Sequence, residues 1–190
     1  MTSALNLRFK VLMLGDGTVG KTTFKNRFLT GKFTTGYMAT MGTDFASHTM
    51  TFQDRTVLMQ IWDLAGQKNQ AIIRKSFYRG ANGALLLYDV TKKQTFINTV
   101  NWLKEVMEVL PNKIPILLIA NKIDLEQNRA ISFEEGMYLS KRMQWKGWQV
   151  DYLETSALEG TNITKAFTNL IQLMLNSYEN LYVNKKSVRI

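Results

Sequence analysis

Cysteine is absent from the 190-residue chain. That excludes a disulfide scaffold, a thiol nucleophile, a Cys-ligated zinc or Fe–S centre, and a thioether or thioester lipid on the chain as given. A single histidine leaves too few ligands for an ordinary zinc or haem site. Two prolines and 12 glycines exclude collagenous and linker-rich classes. Long apolar runs are missing too. Ala84–Tyr88 and Pro115–Ala120 fall far below the roughly 20 residues a membrane helix needs. The opening MTSALNLRFK has no basic stretch followed by an apolar one, and residue 2 is Thr, so neither a signal peptide nor N-myristoylation is expected. These absences predict a protein of a reducing compartment, the cytoplasm.

What is present describes a folded domain. Apolar residues make up 45% and aromatics 11%. A chain this size buries roughly 70% of the surface its unfolded form exposes. Lys and Arg outnumber Asp and Glu by 24 to 15, a net charge of +9 that suits anionic partners without choosing among them. Apolar runs alternate with amphipathic patterns. Strands are predicted at Phe9–Leu14, Thr43–Phe52, Thr56–Trp62, Gly83–Tyr88, Ile114–Ala120 and Gln149–Glu154. Helices are predicted at Lys21–Leu29, Gln94–Leu110, Phe133–Met143 and Ile163–Tyr178, with a further helical turn inside a loop at Leu64–Arg79. This order predicts an α/β, doubly wound, six-stranded sheet, mostly parallel with one antiparallel edge strand and about five helices. Ligands of such sheets bind beyond the carboxyl ends of the strands, where the motifs below fall.

Gly15-Asp16-Gly17-Thr18-Val19-Gly20-Lys21-Thr22 satisfies G-x-x-x-x-G-K-[ST] between a strand and a helix. The pattern arises by chance about once in 80,000 start points. Its glycines let backbone N–H groups wrap a phosphate, the helix N-terminus adds partial positive charge, Lys21 meets the β/γ-phosphates, and Thr22, followed by Thr23, offers a hydroxyl to Mg²⁺. Asp63, closing the third strand, is a carboxylate for Mg²⁺. Gly66 offers its N–H to a γ-phosphate, and Gln67 is placed to orient a water. In Asn121-Lys122-Ile123-Asp124, the Asp124 carboxylate accepts from N1–H and the 2-amino group of guanine, donors that adenine lacks. The stem of Lys122 covers one face of the base, and Thr155-Ser156-Ala157 offers backbone N–H to the guanine oxygen.

The set GDGTVGKT, WDLAGQ, NKID and ETSA resembles the Ras superfamily of small GTPases over about residues 8 to 178. The stretch Phe77–Thr91 and Thr40-Met41-Gly42-Thr43-Asp44-Phe45 look like its Rab branch. The resemblance implies a GTPase domain at 8–178, an N-terminal extension at 1–7 and a basic tail at 179–190. It implies slow GTP hydrolysis with Mg²⁺, and GTP and GDP as the bound nucleotides. Thr40 becomes the switch threonine that meets Mg²⁺ and the γ-phosphate, Tyr37 closes over the phosphates, and Phe33 packs edge-on to guanine. Gly17 is expected to leave room for Gln67 and the γ-phosphate. Phe45, Trp62 and Phe77 match an aromatic triad shown to effectors, whereas periodicity alone makes them core residues.

Departures from the family pattern are informative. Leu64 stands where Thr is usual, Lys68 where Glu is usual, and Leu158 where Lys is common. Lys68 would repel Lys21 rather than pair with it when nucleotide leaves, so atypical partners are expected at the second switch. Gly31–Asp44 holds no Arg, so an activating protein is expected to supply one in trans, alongside an exchange factor and effectors at both switches. The chain as given lacks the cysteines that prenylation uses; Lys185, Lys186 and Arg189 would add only about 1 kcal/mol each at an anionic membrane. A monomer without nucleic-acid partners is expected. His48, in the hairpin, is expected to face solvent, and Trp145 and Trp148 to pack under the last helix, with a partner patch as their other reading. Nucleotide binding without turnover, an ATP-dependent kinase and a nucleic-acid binder are the competing readings.

Overall fold

The computed structural model describes residues 7–33, 40 and 42–187, with side chains given through 179 apart from that of Lys68. Among the described residues, eleven strands and α-helices follow one another: β1 (Leu7–Leu14), α1 (Lys21–Thr30), β2 (Thr43–Phe52), β3 (Arg55–Leu64), α2 (Ala71–Lys75), β4 (Gly83–Asp89), α3 (Lys93–Val109), β5 (Ile116–Asn121), α4 (Phe133–Trp145), β6 (Val150–Thr155) and α5 (Ile163–Ser187). The strands form one sheet in the order β2-β3-β1-β4-β5-β6. Among the described strands, only the β2–β3 pair is antiparallel. The α/β doubly wound architecture read from the sequence is therefore the observed one.

Strand pleating divides the core. Phe9, Val11 and Met13 face one side with α1 and α5, through Phe24, Phe167 and Leu170. Leu12 and Leu14 face the other with α3 and α4, through Trp102, Val106 and Met143. With helices on both faces, β4 and β5 are buried at every position, which is why they read as unbroken apolar runs. The β2–β3 hairpin turns on Gln53 and Asp54, both left-handed at φ 48° and 58°, the twist a two-residue turn of this kind requires. Ser132 caps α4: its hydroxyl accepts from Glu135 N–H, and the Glu135 carboxylate accepts from Ser132 N–H.

Three expectations need correction. The helix read as Ile163–Tyr178 continues to Ser187. Nothing between 179 and 187 is Gly or Pro, so no residue of that stretch breaks the helix. His48, expected to face solvent, packs its ring edge-on against Phe28 at 4.7 Å. Trp148, expected beneath the last helix, belongs to the cluster on the α3–α4 side, while Trp145 stays 75% exposed.

Candidate active site

The carboxyl ends of β1, β3, β5 and β6 open on a cavity of about 700 Å³. Thr18, Lys21, Thr22, Gln67, Lys122 and Asp124 are among its lining residues, together with Phe33, Thr40, Ala157 and Leu158. The loop after β1 forms its floor. Gly15 turns at φ 133°, where an added Cβ would lie 2.3 Å from the Leu87 carbonyl oxygen, so only glycine fits. Gly20 precedes α1 in the left-handed conformation. Lys21 folds back over the loop, its ammonium donating to the carbonyls of Gly15 at 2.7 Å and Asp16 at 2.9 Å. Burial pushes its pKa down to about 8, against the opposing pull of Asp63 and Asp16. An anion in the cavity would favour its charged form.

Three oxygens converge beside Lys21. Thr22 Oγ1 donates to Asp63 Oδ2 at 2.5 Å and lies 2.8 Å from Thr40 Oγ1. A hydroxyl has one proton, so Thr40 is the donor in the second contact. Asp63 is fully buried, its other oxygen has no hydrogen-bond partner among the described residues, and burial raises its pKa. Lys25, also buried, pairs with Asp44 and approaches Asp63 Oδ2 at 3.7 Å. Hard oxygen donors with an orphaned carboxylate oxygen fit Mg²⁺, which is ordinarily held by one or two protein oxygens plus phosphate and water. No group of three or more His, Cys, Asp or Glu among the described residues forms an alternative metal cage.

At the far end of the cavity, Ser156 donates its hydroxyl to Asp124 Oδ1 at 2.5 Å and fixes that carboxylate. Lys122 adopts the left-handed conformation at φ 71°. Its ammonium reaches Asp89 Oδ2 at 2.7 Å, which stretches its stem across the opening. Burial works against Asp89 ionisation, yet Lys122 and Thr91 hold its carboxyl below the usual range. Asn121 is spent on the protein itself: its amide donates to Val19 O at 2.8 Å and accepts from Thr155 at 3.1 Å.

A model of the Ras family matches residues 10–176. The chain belongs to the Ras family. It is 43% identical over 163 residues to Ras-related protein Rab11C of Lotus japonicus, covering 86% of this chain and 73% of that one. Ras-related protein RABA2d of Arabidopsis thaliana is 42% identical over the same coverage. Ras-related protein rab-11.1 of Caenorhabditis elegans is 39% identical over 175 residues, 92% of this chain and 81% of its own. The molecule is thus a Rab-type small GTPase, a guanine-nucleotide-binding GTP hydrolase of a class that serves membrane trafficking and works with activating proteins, exchange factors and effectors. No helix among its described residues is long and apolar enough to cross a membrane.

The predicted site residues are placed in different ways around the cavity. Those named above as lining the cavity meet around it, and Gly17, Gly20, Thr23, Gly66 and Asn121 join them. Asp63 and Ser156 lie beneath its wall, fully buried, and Val19 belongs to the core. Asp16 contributes backbone to the loop, but its carboxylate turns away to α3, accepting from Trp102 Nε1 at 2.8 Å and Asn98 Nδ2 at 2.6 Å. Tyr37 falls outside the described residues.

Gly17 was expected to keep a side chain off Gln67. An added Cβ there meets nothing within 4 Å. The tight position is Gly66, whose Cβ would lie 2.4 Å from both Asp16 C and Gly17 N. Phe45, Trp62 and Phe77 do form one aromatic row, with centroids 5.1 Å and 5.5 Å apart, and Phe45 is half exposed. Lys10 lies over the Trp62 ring at 4.5 Å. Sequence reasoning missed Asn26, which lines the cavity four residues after Thr22 on the same helix face. It also missed the Lys25–Asp44 and Lys122–Asp89 pairs, which join residues remote in sequence.

Proposed function

We propose that this Rab-type GTPase binds GTP with Mg²⁺ across the carboxyl ends of its strands and hydrolyses it slowly, switching its partner surface as it does so. The observation that carries the reading is that one cavity joins Lys21, Thr22 and Gln67 at one end to Asp124 and Ala157 at the other. Lys21 and the N–H groups of Gly15 to Thr22 offset charge on the β- and γ-phosphates. Thr22, Thr40 and Asp63 would hold Mg²⁺, and the ion would supply positive charge beside the phosphates. Gln67 orients the attacking water, and Gly66 donates its N–H to the γ-phosphate. Asp124, fixed by Ser156, reads N1–H and the 2-amino group of guanine. The Lys122 stem and Phe33 enclose the ring, and Asn121 acts as a strut between the two ends. The backbone N–H groups around Ala157 and Leu158 meet the guanine oxygen.

Loss of the γ-phosphate releases Thr40 and Gly66, so the surface around Phe45, Trp62 and Phe77 changes for effectors. An activating protein supplies an Arg in trans. The protein works as a monomer and meets membranes peripherally. Calorimetry with Mg²⁺ tests the site: GDP and GTP should bind far more tightly than ADP and ATP. Equal affinities would remove the base-reading assignment.

A further inference from the structure

We infer that Arg74 is the positioning residue for Gln67: its guanidinium ties the backbone that carries Gln67 to the helix that also holds the phosphate loop. The inference rests on the reading of Gln67 given above. Arg74 lies on α2 and is only 4% exposed. Its Nη1 donates to Gln67 O at 2.5 Å and, at longer range, to Ala65 O at 3.4 Å. Nε and Nη2 grip the two oxygens of Glu105 on α3, each at 2.7 Å. The guanidinium also lies over the Trp102 ring, 4.3 Å from its centroid. Tyr78 donates to Glu105 Oε1 at 2.5 Å and fixes that carboxylate in turn. A two-pronged, buried, stacked guanidinium has little freedom left.

Trp102 makes the arrangement a common frame. While its ring carries Arg74, its indole N–H donates to Asp16 Oδ1 at 2.8 Å. One face of α3 therefore sets the phosphate loop and the Gln67 backbone relative to each other. Other restraints on Gln67 are few: its carbonyl oxygen also accepts from Gln70 N–H, at the longer distance of 3.2 Å. Its amide oxygen has no hydrogen-bond partner among the described residues. Helix α2 has five residues, too few to hold its own shape. Ile72 and Ile73 are 87% and 57% exposed, so they anchor little.

The test is single-turnover GTP hydrolysis and GDP affinity in a double-mutant cycle. Arg74→Gln should slow hydrolysis about 10- to 100-fold, the scale for a misplaced reacting group, and leave GDP affinity within twofold. In a Gln67→Leu background the same change should cost nothing further. Arg74→Lys keeps the charge but not the fork, and should show a smaller loss of the same kind; it carries the test if Arg74→Gln does not fold. Unchanged hydrolysis in the folded Arg74 variants, or an equal loss with and without Gln67, would overturn the inference while leaving the reading of Gln67 intact. Unchanged hydrolysis in Gln67→Leu alone would overturn that reading and this inference with it.

Discussion

Asn121 donates its side-chain amide to the carbonyl oxygen of Val19 at 2.8 Å, joining positions 102 residues apart. The bond ties the last residue of β5 to the loop after β1, so the two ends of the cavity keep a fixed separation. Thr155 Oγ1, at the end of β6, donates to Asn121 Oδ1 and adds a third strand end to the same point. Three parallel strands thus present their carboxyl ends as one rigid rim, on which a ligand with a ring at one end and phosphates at the other can be recognised.

Asp124→Asn replaces an acceptor by a group that can donate. Hydrogen bonds to a charged group contribute about 1.5–3 kcal/mol each. GDP affinity should fall at least about tenfold, while xanthine nucleotides gain. Competition binding with GDP and XDP reads this directly, and undiminished GDP affinity would contradict the assignment of Asp124.

Gly66→Ala and Gly17→Ala make a contrasting pair. The added methyl at residue 66 runs into the backbone of Asp16 and Gly17, whereas at residue 17 it enters open space. Overpacking costs about 1–3 kcal/mol, so Gly66→Ala should lower the thermal midpoint of the GDP-loaded protein. Gly17→Ala should leave that midpoint unchanged. Hydrolysis by Gly17→Ala then isolates any crowding with the γ-phosphate from crowding with the protein.

Thr18 is β-branched yet left-handed, with φ 68°. Such a residue stores about 1–3 kcal/mol of backbone strain. Lys92 approaches its hydroxyl at 3.3 Å, an exposed contact of little energetic weight. Thr18→Gly should therefore raise unfolding stability by about 1 kcal/mol after the entropic cost of glycine. Chemical denaturation at a fixed GDP concentration measures it; a loss of stability would show that the hydroxyl contributes more than the strain costs.

Asp89→Asn removes the partner of Lys122 and should cost about 1–3 kcal/mol at neutral pH. The native carboxyl titrates below its ordinary value of 3.8. The unfolded chain therefore binds the proton first as pH falls, and the stabilisation is present above pH 3.8 and fades below it. The gap between the natural chain and Asp89→Asn should accordingly narrow as pH drops beneath that value. A gap that stays constant in acid would mean that the pair adds no pH-dependent stability.

Much of the fold and part of the cavity were legible because they depend on backbone behaviour. Gly15 and Gly20 punctuate the loop in conformations that glycine tolerates, and the unbroken apolar runs of β4 and β5 announce strands covered on both faces. Periodicity does not decide between core and surface for the aromatic row, since period alone cannot say which edge of a sheet stays uncovered. The second switch was the least legible stretch. Its short helix has no apolar period of its own and is fastened by Glu105 and Trp102, some 30 residues further on.

The sequence by itself determined which chemical groups stand at the strand ends, because a loop that wraps phosphate and a carboxylate that selects guanine need particular residues in a particular local order. Only the tertiary structure decided how those groups are held: Asp16 turning its carboxylate to α3, Asn121 joining the end of β5 to the loop after β1, Arg74 fastening the backbone of Gln67. Hydrogen bonds between distant segments depend on where helices come to rest against the sheet, and that placement follows from packing of the whole core rather than from any local pattern.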